Sequence, residues 1–259
     1  MSNNTMATDP QRLAQAYMQL HSATQWLARV GASYSQGGNR NKVALWWSNT
    51  GRISTPSFDS ELGLELRIPD FAMQFTENGT PSHHQIELEE RSPAHVEAWI
   101  LIELLHRGAD REKFSKSLPY EVSGLMSGDG VEFSRDEYQP EFAELTSRFQ
   151  NAASIIMSAC DRHDMKEPIR LWPQNMSIEI LACPRSGKNS PMPELVFGFA
   201  HKNSDLKEPF YYIAHRDGND GHDRIDARLA LSDIPEDQAR DRIINFFRDA
   251  AGNRGEFTN

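Results

Sequence analysis

Residues 13–30 read Leu-Ala-Gln-Ala-Tyr-Met-Gln-Leu-His-Ser-Ala-Thr-Gln-Trp-Leu-Ala-Arg-Val. Leu13, Ala16, Tyr17, Leu20, Ala23, Leu27 and Val30 recur close to every 3.6 residues, which predicts an amphipathic helix. Asp9-Pro10 supplies a start signal, a capping side chain followed by proline in the first turn. Gly31 supplies a stop. An apolar strand through Leu45-Trp46-Trp47 follows. The order then returns. Phe142, Leu145, Phe149, Ala152, Ile156 and Ala159 fall in step with Leu13, Ala16, Leu20, Ala23, Leu27 and Val30, and Leu171-Trp172-Pro173 repeats the Leu-Trp pair.

Strands fill each half. Leu62, Leu64, Leu66 and Ile68 alternate with Gly63, Glu65 and Arg67, which predicts a strand with one wet face. The segments 71–77 and 83–89 flank Asn78-Gly79, a hairpin signal, with Thr80-Pro81 lengthening the loop. Ser92-Pro93 opens a helix through Val96, Trp99, Ile100, Leu104 and Leu105 that ends near Gly108. Residues 109–137 show no period and carry Gly124, Gly128 and Gly130; they read as a connector with one short strand at 131–133. In the second half, strands are predicted at 176–182, 194–200, 209–215 and 227–231. Asp233-Ile234-Pro235-Glu236 resembles a capping box and opens a last helix with Ile243, Ile244, Phe246, Phe247 and Ala250, stopped by Gly252.

The expected fold class is therefore α+β: antiparallel sheets with four main helices, in pseudo-duplicated helix–strands–helix halves at 10–108 and 138–252, forming one compact unit. Two amphipathic helices align at some offset by period alone, so a true duplication and a chance likeness both stand.

Bulk properties narrow the function classes. The chain has 259 residues, 38% hydrophobic and 25% charged, as expected for a soluble globular protein. Its net charge is −10, and no Lys/Arg run offers the basic stripe a nucleic-acid partner or an anionic membrane would need. Residues 1–10 lack an apolar signal core, and no apolar run is long enough to span a bilayer. A cytoplasmic location is expected, with Cys160 and Cys183 as reduced thiols. The Asn-x-Ser/Thr triplets at Asn3, Asn78 and Asn175 then carry no glycan.

Several pieces together resemble a known family: Leu20-His21-Ser22-Ala23-Thr24-Gln25 with Arg29, Leu45-Trp46-Trp47, the turn from Gly51 to Pro56, the strand from Leu62 to Ile68, Tyr138-Gln139-Pro140, the strand from Trp172 to Ile180, and Pro209-Phe210-Tyr211-Tyr212. They are similar to the uncharacterised, mostly bacterial family known as domain of unknown function 5996. The most specific piece is Leu-His-x-x-Thr-Gln-x-x-x-Arg followed by the tandem Trp. One departure stands out: the family often carries Phe-Asp where this chain has Met176-Ser177. The resemblance implies a shared full-length fold and brings no activity, substrate or cofactor.

On a wheel of the first helix, Leu13, Leu20 and Leu27 mark the buried face, Thr24 and Tyr17 its edge, His21 and Gln25 the next step, and Arg29 lies beyond. Trp46 and Trp47 are successive strand residues and point to opposite faces. An aromatic-lined cleft for a small molecule is expected among His21, Gln25, Arg29, Trp46, Trp47, Trp172, Tyr211 and Tyr212. There His21 would act near neutral pH and Arg29 would hold an anionic group. The competing expectation puts the tryptophans in the core and makes the protein a protein–protein interaction module without catalytic activity.

Other motifs are weaker. His83-His84 project to opposite sides of a strand. His215, Asp217, Asn219, Asp220, His222 and Asp223 resemble a calcium loop, but Arg228 stands where the closing Glu belongs. Cys160 and His163 lack a second pair for zinc. Arg185-Ser186-Gly187-Lys188 lacks the leading glycine of a phosphate loop, and no Gly-x-Ser-x-Gly elbow occurs. No metal and no cofactor is expected, and oligomeric state is left open.

Overall fold

A computed structural model describes residues 9–34, 43–59, 61–160, 169–182, 194–201, 208–216, 224–235 and 238–252. The chain divides into two compact units, 1–149 and 150–259. The division falls inside a helix rather than in the connector, and the connector belongs to the first unit.

The first unit runs α1 (Pro10–Tyr34), β1 (Leu45–Ser48), β2 (Arg52–Ser54), β3 (Leu62–Arg67), β4 (Ala72–Glu77), β5 (Thr80–Glu87), α2 (Pro93–His106), then a 3-10 turn at Arg111–Lys113 and the start of α3 (Gln139–Ala159). The second takes over within α3 and continues β6 (Ile169–Trp172), β7 (Ser177–Ala182), β8 (Glu194–Ala200), β9 (Phe210–Arg216), β10 (Arg224–Ala230), a 3-10 turn at Leu231–Asp233 and α4 (Ala239–Gly252). Each unit is thus a five-stranded antiparallel meander between a leading and a closing helix. The α+β class and the four helices match the sequence expectation. No helix among the described residues is long and apolar enough to cross a membrane.

Register shows how side chains sort. In the first unit Trp47, Ile53, Leu66, Met73 and Ile86 form one cross-strand row, and all five are buried. Helices cover it: Trp47 meets Phe149 of α3 at 5.3 Å, and Phe75 of β4 meets Trp99 of α2 at 5.7 Å. The helix α1 lies against β1 and β3, and Arg12 ties it to Glu141 of α3 at 2.7 Å. In the second unit the matching row is Leu171, Ile178, Phe199, Tyr211 and Leu229, with Phe247 of α4 packed against Phe197 and Tyr211.

Five local expectations are corrected. Helix α1 passes through Gly31 to Tyr34, because Gly31 sits where a Cβ would come within 3.2 Å of Val43, so its small size serves packing rather than termination. The β4–β5 loop is two residues and is not lengthened by Thr80-Pro81: Asn78 and Gly79 both take positive φ (50° and 74°), the type I′ geometry that matches strand twist. Thr80 and Pro81 are already in β5, an outer strand of the meander, where Pro is tolerated. The second face of β3 is drier than expected, since Gly63 and Glu65 are buried as well and Arg67 is half-buried. Asp233 ends a 3-10 turn and α4 starts at Ala239; Glu236 of the expected capping box lies outside the described residues. Within the connector, Phe133 makes an isolated parallel bridge to Glu89 rather than a strand.

Candidate functional site

Helix α1 presents its polar stripe to the connector. Gln19 Oε1 accepts from the Ser134 amide at 2.8 Å, Ser22 Oγ from the Met126 amide at 3.0 Å, and Gln25 Oε1 from the Tyr120 hydroxyl at 2.6 Å. Arg29 Nε donates to the Lys116 carbonyl at 2.8 Å, and Ser33 Oγ accepts from the Ser115 amide at 2.8 Å. Steps of three and four residues keep these groups on one side of the helix. They supply hydrogen-bond partners to connector backbone that lies outside regular helix and strand. Gln25 is fully buried and also donates to the His21 carbonyl. Arg29 stacks on Trp26, its Cζ 4.4 Å from the ring centre. Burial lowers the Arg29 pKa and raises that of Tyr120, which stays neutral. His21 is half-buried, its ring 5.9 Å from that of Tyr17.

The tryptophan pair splits as expected. Trp47 is buried under α3, and its indole N–H has no hydrogen-bond partner among the described residues. Trp46 points the other way and is half-buried. Its cross-strand row reads Trp46, Ser54, Glu65, Gln74, Gln85, on the sheet face away from Trp47. Glu65 is only 3% exposed there and Gln74 only 9%. Arg52 Nη1 donates to Glu65 Oε2 at 3.2 Å, whereas Arg67 Nη1 stands 3.9 Å from Oε1, longer than a hydrogen bond. Arg67 is spread over Asp70 at 3.0 Å, Gln85 at 2.6 Å and the Gln74 carbonyl oxygen. Gln74 in turn donates to the Ser82 carbonyl. The result is a buried carboxylate between two half-open guanidiniums, with an indole at one end of the row.

The second unit carries a related row on the face away from α4: Arg170, Glu179, Gly198, Tyr212, Arg228. Glu179 is 2% exposed and accepts from the Tyr212 hydroxyl at 3.3 Å. Gly198 makes this possible, because a Cβ there would lie 2.1 Å from the Tyr212 ring. Trp172 and Ser177 lie on the same face, two residues from Arg170 and Glu179. Around them the face is apolar, with Val196, Ala200, Phe210 and Ala214 buried.

The eight residues expected to bind a ligand therefore sort three ways. Gln25 and Arg29 hold the connector, with His21 beside them on α1. Trp47 and Tyr211 pack under helices, burial raising the Tyr211 pKa. Trp46 in one unit, and Trp172 with Tyr212 in the other, occupy the opposite sheet faces beside a buried glutamate. Glu65, Arg52, Arg67, Gln74 and Glu179 were not singled out in the sequence. The available signal was an acid at the centre of an apolar strand, Glu65 between Leu64 and Leu66.

Two other clusters are present. Glu103 of α2 is buried and bonds Arg107 at 2.5 Å, with His84 and His106 Nδ1 at 3.6 and 3.8 Å. Arg107 Nε lies 3.1 Å from Glu77, and an open groove of about 460 Å³ runs beside it along the β4–β5 hairpin. A wider groove of about 680 Å³ lies between Leu229 of β10 and the Asp241, Arg242 and Phe246 positions of α4. Among the described residues no group of three His, Cys, Asp or Glu side chains is arranged to hold a metal. His215 pairs with Asp226 across β9 and β10, while Asp217, Asn219, Asp220, His222 and Asp223 of the acidic loop, like His163, Cys183 and residues 185–188, lie outside the described residues. The chain matches no family model, no curated protein and no solved structure.

Proposed function

We propose that this protein binds a small polar molecule on the sheet face of its first unit, with Trp46 as the apolar wall and Glu65 as the recognising acceptor. The observation that carries the reading is Glu65, a carboxylate 3% exposed on the face turned away from Trp47 and its covering helix. Burying a carboxylate costs several kcal/mol unless partners compensate it. A face built only for solubility would leave the acid wet, and one built only for packing would hold an apolar residue. Glu65 Oε2 has Arg52, whereas Oε1 has Arg67 no nearer than 3.9 Å and is the atom a ligand's N–H or O–H would reach. Few convergent polar groups beside an aromatic wall are the usual make-up of such sites. Kinship with domain of unknown function 5996 is part of the proposal and adds no reaction. A cytosolic location is proposed on the reading of Cys160 and Cys183 as thiols.

A thermal-shift screen of small amines, amides and polyols, followed by titration of hits, tests this. Hits should lose at least about tenfold in affinity in both Glu65→Gln and Trp46→Phe, equal to about 1.4 kcal/mol. Hits that bind both variants as tightly as wild type would place recognition elsewhere and defeat the reading. A second reading, a protein interaction surface, is favoured by the outer face of α2.

A further inference from the structure

The sheet face that carries Trp46 is shaped around it. Its neighbours in the first unit are all small: Ala44 and Ser48, two residues to either side along the chain, and Ser54 directly across on β2. On β3, Gly63 stands two residues before Glu65, and a Cβ there would come within 2.6 Å of Thr76 Oγ1. The indole therefore stands beside a low floor. Ser54 alone lies between Trp46 and Glu65 in their cross-strand row. Two strand spacings, about 10 Å, separate the two, a gap that takes a sugar ring with its substituents.

Charge on this face is already balanced. Arg52 Nη1 meets Glu65 at 3.2 Å, and Arg67 Nε meets Asp70 at 3.0 Å, so each guanidinium has its carboxylate. An ammonium brought to Glu65 would lie beside Arg52, and a phosphate brought to either arginine would lie beside Glu65 or Asp70. Each meets like charge. Hydrogen bonding is offered in both senses instead. Arg52 donates, Glu65 Oε1 accepts, and the Ser54 hydroxyl does both. A single hydroxyl can accept from a guanidinium and donate to the adjoining carboxylate at once, which an ammonium or a carboxylate cannot do. Trp46 completes the match. C–H bonds polarised by adjacent hydroxyl oxygens are drawn to the negative face of an indole. A sugar ring presents such C–H bonds on one side and hydroxyls at its edge.

We propose that the ligand is a neutral sugar, with one ring seated over Ser54, its C–H face against Trp46 and its edge hydroxyls shared by Arg52, Ser54 and Glu65. This rests on the reading of Trp46 and Glu65 as a binding site and names the class of molecule that the site takes.

Isothermal titration of the full chain tests it with maltose, cellobiose, xylobiose, lactose and diacetylchitobiose, and with sorbitol, putrescine and inorganic phosphate alongside. At least one disaccharide should bind with a Kd of about 1 mM or tighter, and about tenfold tighter than sorbitol, which has the hydroxyls without the ring face. Raising salt from about 50 to about 500 mM should change that affinity less than about twofold, since no net charge is exchanged. Ser54→Leu fills the floor and leaves Trp46 and Glu65 in place; it and Trp46→Ala should each cost about tenfold or more. Circular dichroism melts check that both variants keep the fold. No disaccharide binding by about 10 mM, or sugar binding as tight in both variants as in wild type, overturns the proposal. If putrescine or phosphate binds instead, and Glu65→Gln and Trp46→Phe abolish it, the sugar falls and the site stands. If neither of those changes weakens any compound that binds, the site falls as well.

Discussion

The two units share an order of elements and a helix-side row, yet they differ on the opposite sheet face. In the first, the row through Trp46 is polar, with Glu65 set between Arg52 and Arg67. In the second, Glu179 stands among Val196, Ala200, Phe210 and Ala214, and a tyrosine hydroxyl reaches it over a glycine. The closing helices differ too. Helix α2 is apolar outside, whereas α4 exposes Arg240, Asp241, Arg242, Asn245, Arg248 and Asp249. Packing under the helices sustains the common frame, and the faces that do not carry it are where the units differ. A difference there is the expected pattern, since a core row tolerates only volume-conserving change while an outer face is freer.

Mutations can break this contrast. The largest effect should come from the helix-side rows: Trp47→Ala and Phe247→Ala should each cost about 3–5 kcal/mol in urea denaturation, one in each unit. Trp46→Ala, half-exposed on the other face, should cost only about 1 kcal/mol. Equal losses at Trp46 and Trp47 would mean that both faces are core. Next, Gly198→Ala should cost about 1–3 kcal/mol by pushing the Tyr212 ring off the strand. Tyr212→Phe, which keeps the ring and removes one donor to Glu179, should cost about 1–2 kcal/mol. If Tyr212→Phe hurts more than Gly198→Ala, the hydroxyl rather than the ring fit dominates that face.

The smallest effect is pH-dependent and lies in the first unit alone. The hydrogen bond from Arg12 holds the Glu141 carboxyl below its ordinary range. The folded state therefore keeps this charge to lower pH than the unfolded chain does. Its stabilisation is complete above the ordinary carboxylate range and is lost as pH falls through the lowered value. Glu141→Gln should be less stable than wild type at neutral pH, with the gap closing on acidification. A gap that is constant from pH 7 to pH 3 would remove Arg12 as the cause.

Much of the frame was legible in the sequence. The 3.6-residue period from Leu13 to Val30 and its return from Phe142 to Ala159 give two helices, and Asn78-Gly79 gives the β4–β5 hairpin though not its two-residue length. Alternation in β3 gives the direction of each side chain but not whether the second face is covered, so Glu65 read as wet and is buried. Gln25 and Arg29 read as the rim of a cleft because their partners, Tyr120 and Lys116, lie 95 and 87 residues away. No local pattern announces a strand of connector backbone that needs side-chain partners. The start of α4 was misread because a capping pattern and a 3-10 turn use the same residue types.

The five tryptophans offer the most direct test of ligand binding at Trp46. Each indole N–H gives a separate signal in a proton–nitrogen correlation spectrum, and Trp→Phe variants assign them. Titrating a screening hit should move the Trp46 signal and leave that of Trp47, one residue away on the covered face, in place. A hit that shifts Trp47 and leaves Trp46 unmoved would contradict the account.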